Sequence, residues 1–579
     1  MNRCLLHDRT TGHWLAFRDP VRIVVATTPS EVLPALDLIE QLVNSGHLHA
    51  AGFITYEAAP AFDPALKVRP DASGFPLLWF GLYREPETLD SLPLPDHPGS
   101  LSSWQWEPSI SRDEYREAMI RLRNYLYKGD TYQVNYSFRL RVPFTSEPWS
   151  LFCGLVHGQR AAHAAYVEND RFALCSASPE QFFTLNGDEI EVRPMKGTAP
   201  RGGTSADDQT RAQTLRESPK DRAENVMIVD MIRNDLGRIA RPGSVQPSNL
   251  FTLERYPTAW QMTSTVTAES HASVRQILTA LFPCASITGA PKPRTMGIIA
   301  ELETTPRRIY TGSIGFIAPH RRAQFSVAIR TVLIDKASGQ AEYGVGGGIV
   351  WDSNTESEYE ECRTKARVLT DERPEFQLLE TLLWTPGEGF ALMDRHLQRL
   401  SDSADYFDIK PPLHDVDARL REWSATAPSR PQRLRLLLAR DGAVTLQAGP
   451  LPPAATRPVQ VKLAPAPIDP SDRFLYHKTT HRRIYEQAMA ACSDCDDVLL
   501  WNPDGELTES TIANLVVEWN GKLFTPPVHC GLLPGTFRSA MLAEGRIGEK
   551  VLHVADLPEF NHLYLINSVR KWREVILIK

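Results

Sequence analysis

The chain has 579 residues, 42% of them hydrophobic and 23% charged, with a formal net charge of -7. This is the composition of a globular protein with room for two to four domains at about 150 residues each; it carries no basic run or basic-aromatic patch to mark a nucleic-acid binder, and no apolar run near the ~20 residues that span a bilayer. The opening MNRCLLHDRTTGHW lacks a long apolar core, and eight scattered cysteines argue against a disulfide framework, so a cytoplasmic enzyme of small, locally held anions is the class left open.

Strand-like runs at Arg22 to Ala26, Phe172 to Cys175 and Gln324 to Ile334 alternate with amphipathic helical stretches, an α+β pattern. Tyr83 to Pro108, rich in Pro, Ser and Asp, reads as a long surface connection. After the alternating Glu189 to Val192 comes RPMKGTAPRG, which sets Lys196 in a Pro/Gly turn. Most turn lysines are merely solvated, but one that loses water at a strand end can present a neutral, nucleophilic amine.

SPKDRAENVMIVDMIRNDLGR predicts a helix with Ser218 as N-cap and Pro219 at its first position; Glu224 shares its face with Ile228 and Met231. A carboxylate in an apolar stripe is costly unless a cation or hydrogen bonds meet it. SITGAPK (Ser286 to Lys292) is a Gly/Pro turn able to cradle an anion, and Arg330 ends the β-patterned FSVAIRT with a fork suited to a carboxylate. The glycine run Gly344 to Val350 precedes a second helix, capped by Asp352 or Ser353, with Glu358, Glu361 and Lys365 on one face. Acids from two helices are the hard oxygen ligands magnesium prefers, although taken alone such pairs are usually solvated surface charge.

A seam near Asp371 divides the chain into 1–371 and 372–579, and Pro450 to Pro470 reads as a linker between two lobes of the second part. There Phe376 to Trp384 predicts a strand and Asp394 to Phe407 an amphipathic helix. Lys478, Glu509, Arg399 and the amides of Thr536 and Phe537 have the chemistry of a phosphate-bearing cofactor site, but from spacing alone ordinary structural roles fit them better. Cys492 and Cys495 form a lone CxxC with no second pair to complete a zinc site.

In this order, GDTYQVNYSFR, SASPEQFF, PMKGT, the capped helix, SITGAPKPRTM, RRIYTGSIGFI, FSVAIRT and the glycine run with its acidic helix resemble the chorismate-utilising enzymes over nearly all of Tyr115 to Leu369. The resemblance implies that family's fold of β-sheets flanked by helices. It makes Glu180 the general acid/base, Glu224 and Glu361 with Glu358 beside them the Mg²⁺ site, and Arg330, Tyr310, Gly346 and Gly347 the binders of substrate. Anthranilate synthases carry alanine where Lys196 stands, and isochorismate-forming relatives a general-base lysine at the position of Gln133. The resemblance is therefore to the aminodeoxychorismate synthase branch, with Lys196 as nucleophile and ammonia from a glutamine amidotransferase partner. Gln261 replaces a histidine found in many relatives, and an amide donates a hydrogen bond but no proton.

The second part resembles the fold-type IV pyridoxal phosphate enzymes, a two-lobed fold, over Phe376 to Lys579. By that resemblance Lys478 is the Schiff-base lysine, Glu509 the partner of the ring nitrogen, and Arg399, Thr536, Phe537 and Ser568 the phosphate binders. Asn567-Ser568 in NSVR is similar to the aminodeoxychorismate lyases, although Lys571 stands where these usually have glycine. The two resemblances together imply folate-type p-aminobenzoate synthesis from chorismate; an anthranilate-type synthase joined to a transaminase is the alternative. Fold-type IV enzymes commonly pair subunits around the cofactor, which leaves a homodimer open.

Overall fold

The computed structural model describes residues 2–93, 104–159, 161–370, 374–409, 413–451, 457–492 and 494–578. Two compact units divide the chain: Met1–Pro200 with Ala212–Arg373, and Arg201–Arg211 with Pro374–Lys579. The expected seam at Asp371 lies outside the described residues, as do parts of the two expected connections, 94–103 and 452–456.

The first unit is built on two ten-stranded antiparallel sheets. One contains Gln133–Pro143, Gln340–Ile349, Thr331–Asp335, Phe172–Ser178 and His163–Glu168; the other contains Ala259–Glu269, Glu189–Arg193, Gln181–Asn186, Arg322–Val327 and Ser313–Ala318, with Met195–Pro200 at its edge. Their inner faces meet through alternating apolar positions such as Leu6, Phe53, Leu174, Phe316 and Leu333. On the outer face of the second sheet pack helices Pro29–Gly46, Pro219–Gly237 and Val274–Leu281; on that of the first, Arg112–Tyr127, Pro148–Gln159 and Lys292–Leu302.

Four expectations change in detail. Gln324 to Ile334 is two strands, because Ala328–Arg330 breaks the run and Arg330 takes a φ of 50°. Lys196 lies on the edge strand Met195–Pro200, not in a free turn. The acidic helix Thr355–Ala366 is capped by Asn354, whose side chain accepts from the amides of Glu356 and Ser357. Part of Pro450 to Pro470 is a strand, Val459–Leu463, within a sheet of the second unit. The helix Pro219–Gly237 does have Ser218 as its cap, accepting from Asp221 N.

In the second unit, a four-stranded antiparallel sheet containing Leu378–Thr385, Gln432–Leu438 and Val444–Pro450 is covered by helices Met393–Tyr406 and Leu413–Ala425. The other lobe is an eight-stranded mixed sheet in which six strands close on themselves, Leu507–Ser510 pairing both Asp497–Trp501 and Asn514–Trp519. Val461, Leu499, Leu515, Leu565 and Val575 fill that lobe's core. Lys478 lies between the lobes, its carbonyl accepting from Leu379 N at 2.9 Å. Arg201 and Asp208 form a buried ion pair of this unit, with the Arg201 guanidinium 4.3 Å from the Tyr406 ring centroid.

Candidate functional site

Lys196 owes its placement to a slip in register: Met195 pairs with Thr263, but Thr198 pairs with Gln261, one residue out of step. Gly197 absorbs the slip at a φ of 99°, a conformation that side chains resist, with Asp221 and Met262 packed against it. Beneath the strand, fully buried Asn225 donates from Nδ2 to the Lys196 carbonyl at 3.3 Å and accepts from Ser264 Oγ at 2.6 Å. The side chain of Lys196 then reaches Glu224, with Nζ 3.6 Å from Oε2.

The facing sheet closes the other side. A Cβ on Gly348 would meet both Gln133 Nε2 and Lys196 Nζ, so a side chain there would push these two side-chain ends aside. Gln133 Oε1 is buried there without a hydrogen-bond partner among the described residues. Of the two glycines expected to bind substrate, Gly346 lies against Tyr136 and Ser137 and Gly347 faces Glu358.

Glu180 sits at the break between Phe172–Ser178 and Gln181–Asn186, 3% exposed. Burial pushes its carboxyl up to about 7, opposed by hydrogen bonds from Ser286 and the Met195 amide and by the Lys196 charge. The Ser286 hydroxyl donates to Oε1 at 2.6 Å. An acid that holds its proton near neutrality, close to a lysine, has the setting of a general acid. Thr198 Oγ1 donates to Gln261 Oε1 at 3.0 Å, which leaves that amide's NH₂ as a donor.

Arg330 donates from Nη1 to Gln159 Oε1 at 3.0 Å, and its left-handed backbone is the kind of strain that functional sites retain. Tyr310 is buried under the Arg139 guanidinium, 4.8 Å from its ring centroid, against Gly344.

The carboxylates expected to bind magnesium come from the two helices, but each is already engaged. Glu224 meets Lys196, Glu361 meets Lys365 at 2.7 Å, and Glu358 accepts from Ser353 Oγ at 2.7 Å. Lys365 also donates to the Gly346 carbonyl at 3.0 Å. Burial holds the Glu358 carboxyl above its ordinary range; at Glu361 burial has the same tendency, but Lys365 outweighs it and the net shift is downward. Among the described residues no group of three His, Cys, Asp or Glu is gathered tightly enough to hold a metal. The donor chemistry suits a hard cation, which would have to take Glu224 and Glu361 from their lysines.

The second unit encloses a cavity of about 380 Å³ lined by Lys478, Glu509, Arg399, Thr536, Phe537 and Ser568, all six of the residues expected to hold a phosphate-bearing cofactor. Burial, followed by the charges of Arg399 and Arg482, brings the Lys478 amine down to about 8, against the pull of Glu380 and Glu509. Glu509 is 4% exposed and pushed up by burial to about 7, while Tyr485 Oη at 2.8 Å, Asn514 Nδ2 at 3.1 Å and Leu533 N at 3.2 Å donate to it. The helix Thr536–Ala543 opens onto this cavity with no side-chain cap, leaving its first amides for an anion. Ser568 Oγ donates to the Thr381 carbonyl at 3.2 Å.

The sequence reading missed what holds these groups. Arg399 donates from Nε and Nη2 to the two oxygens of Glu380, at 2.9 and 2.7 Å, and from Nη1 to the Pro534 carbonyl. Burial alone would raise the Glu380 carboxyl, but Arg399 and His396 bring it down to about 2. His396 bonds Glu380 through Nδ1 at 2.6 Å and Thr536 Oγ1 through Nε2 at 3.2 Å. The signal was available: His396 and Arg399 are three residues apart on one helix, facing a lone acid in FQLLETLLW.

Residues 1–371 match the chorismate binding enzyme family and residues 377–578 the amino-transferase class IV family. Aminodeoxychorismate synthase component 1 of Klebsiella aerogenes is 43% identical over 262 residues, 45% of this chain and 58% of that protein. The chain thus spans little more than half the length of that relative. One of the anthranilate synthase component 1 proteins of Haloarcula marismortui is 30% identical over 406 residues, 60% of this chain and 80% of that protein. The crystal structure of anthranilate synthase component I from Streptococcus pneumoniae superposes with a TM-score of 0.55 at 22% identity, over 64% of this chain and 92% of that one, and shares the fold of the first unit. The family match over 1–371, on two facing sheets and a helix that bring Lys196, Glu180 and Glu224 to one place, means that the chain belongs to the chorismate binding enzyme family, followed in sequence by a class IV aminotransferase domain.

Proposed function

We propose that the chain makes p-aminobenzoate from chorismate in two steps. The first unit replaces the C4 hydroxyl by an amino group from ammonia, giving 4-amino-4-deoxychorismate; the second expels the enolpyruvyl group as pyruvate. The observation that carries this reading is Lys196, the residue that distinguishes the branch, placed against Glu224 and within electrostatic reach of Glu180. The similarity to proteins named aminodeoxychorismate synthase component 1 supports it, and the name component 1 supports a glutamine amidotransferase subunit as the source of ammonia.

In the first step the Lys196 amine attacks C2, the ring double bond shifts, and the C4 hydroxyl leaves as water with a proton from Glu180. Ammonia then adds at C4 and the double bond returns, expelling the lysine amine. Arg330 and Tyr310 hold carboxylates, fixing the ring against Lys196. Gln133, a neutral amide, offers no base to activate water in place of ammonia. Glu224 and Glu361, with Glu358 beside them, would hold Mg²⁺, which supplies a Lewis acid for a substrate carboxylate.

In the second unit Arg399, Ser568 and the amides of Thr536 and Phe537 would hold the phosphate of pyridoxal phosphate, and Glu509 its ring nitrogen. When bound, that group supplies an electron sink. Lys478, brought down to about 8, provides the amine for cofactor attachment and afterwards the base that takes the proton from C4 of the ring. Loss of that proton and of the enolpyruvyl oxygen aromatises the ring.

The test is to incubate the purified chain with chorismate, ammonium and Mg²⁺, with and without pyridoxal phosphate, and to separate the aminobenzoates by chromatography. p-Aminobenzoate that needs both additions is expected. o-Aminobenzoate would move the first unit to the anthranilate branch, and absence of both products under excess ammonium would overturn the reading.

A further inference from the structure

Two paired strands of the first unit hold the ring of Tyr310. Arg139 of Gln133–Pro143 and Gly344 of Gln340–Ile349 are directly opposite each other in the sheet. The ring sits so close to Gly344 that a Cβ there would fall 2.1 Å from Tyr310 Cγ, and the Arg139 guanidinium lies over the ring, 4.8 Å from its centroid. Arg139 is itself 1% exposed and donates from Nη1 to the Phe138 carbonyl at 3.0 Å and to Ser137 Oγ at 3.2 Å.

The acid that serves Arg139 is largely taken by others. Buried Glu303 accepts from Arg307 at 2.6 and 3.1 Å and from the Ser137 amide and hydroxyl at 3.0 and 2.7 Å, but from Arg139 only at 3.4 Å. A second buried acid, Glu57, accepts from the Arg307 amide at 2.7 Å, and burial pushes it up to about 7, so near neutrality it supplies only part of a negative charge. Two buried guanidinium groups thus outweigh the carboxylates around them, and the π face of Tyr310 meets part of what Arg139 lacks. Burial raises the Tyr310 phenol, but the charges of Arg307 and Arg139 act the other way, which makes its hydroxyl a stronger hydrogen-bond donor.

We propose that Arg139 is a positioning residue for the first reaction: it holds the Tyr310 ring and polarises the hydroxyl that meets a substrate carboxylate, without touching substrate itself. This rests on the reading of the first unit as a chorismate site and deepens it by naming what sets one of its carboxylate binders.

The experiment is a double-mutant cycle on the full chain with Mg²⁺ and excess ammonium, in which initial rates of chorismate loss are followed by chromatography for the unaltered chain, Arg139→Gln, Tyr310→Phe and the two combined. Arg139→Gln is expected to raise KM about tenfold while kcat changes by less than about threefold, since Tyr310 holds the carboxylate both before and during the reaction. With Tyr310→Phe already in place, the same substitution should raise KM by less than about twofold. Arg139→Lys keeps the charge but not the planar fork; its rise of about threefold should also vanish beside Tyr310→Phe, and it carries the cycle if the glutamine variant does not fold. Equal rises in the two backgrounds, a fall in kcat at unchanged KM, or no effect of either Arg139 variant would overturn the positioning role alone. An unaltered chain that consumes no chorismate under these conditions would overturn the functional reading and the inference with it.

Discussion

The two lysines sit in opposite electrostatic company. Lys196 faces carboxylates, with Glu224 at 3.6 Å and Glu180 in reach, whereas Lys478 lies in a cavity where Arg399 and Arg482 add to burial against its charge. The surroundings of Lys478 are also built in advance: Glu380, His396 and Arg399 form a closed network that fixes Thr536, and the six residues expected to hold a cofactor already share one cavity. The acids around Lys196 are instead tied to lysines and a serine. On the proposed reading, one site is preorganised for its cofactor, whereas the other would have to exchange partners to take up a cation. Preorganisation of this kind lowers the reorganisation needed at the moment of reaction.

The largest effect should come from Lys478→Ala, which removes both the attachment point and the base. p-Aminobenzoate formation is expected to fall at least about 10³-fold while aminodeoxychorismate accumulates, as followed by chromatography. Undiminished p-aminobenzoate would dissolve the contrast by leaving Lys478 no chemical part. Lys196→Ala should cost about 10²-fold or more in chorismate consumption, or divert it to o-aminobenzoate, and full retention of p-aminobenzoate synthesis would remove the covalent role.

Glu380→Gln probes the prebuilt network. It leaves Arg399 without its carboxylate in a buried setting, so denaturant unfolding of the second unit should show a loss of order 3 kcal/mol. A loss confined to a few tenths would mean that the network is ornamental.

The smallest shift concerns pH at the first site. Because the Glu180 carboxyl titrates near 7 in the folded chain, kcat/KM for chorismate should fall as pH rises through about 7, where the acid form is lost. Ser286→Ala removes a hydrogen bond that favours the ionised form, so the break should move upward; a downward move would show that Ser286 does not act through Glu180.

How much of this was legible depended on range. The Ser218 cap, the helix it opens and the helix Met393–Tyr406 are local in sequence and agree with the reading up to a residue or two. The residues expected to face a cofactor in the second unit were named through the family resemblance, since spacing alone could not say that they share a cavity. What stayed hidden was long-range or cooperative: the slip at Lys196 needs the partner strand, the space at Gly348 needs the facing sheet, and the Glu380 network joins residues that are unremarkable one at a time. The break before Arg330 was missed because FSVAIRT keeps its apolar alternation while a single residue turns left-handed.

The interleaving of the two units has a consequence for how the chain is made. Arg201–Arg211 belongs with Pro374–Lys579, yet it leaves the ribosome long before those residues exist. Tyr406 donates to the Gly202 carbonyl at 2.8 Å, a partnership that the nascent chain cannot form until residue 406 has been made. Synthesis from the N-terminus therefore leaves a short segment waiting, and a polypeptide begun at Pro374 would lack the piece that Tyr406 is built to meet.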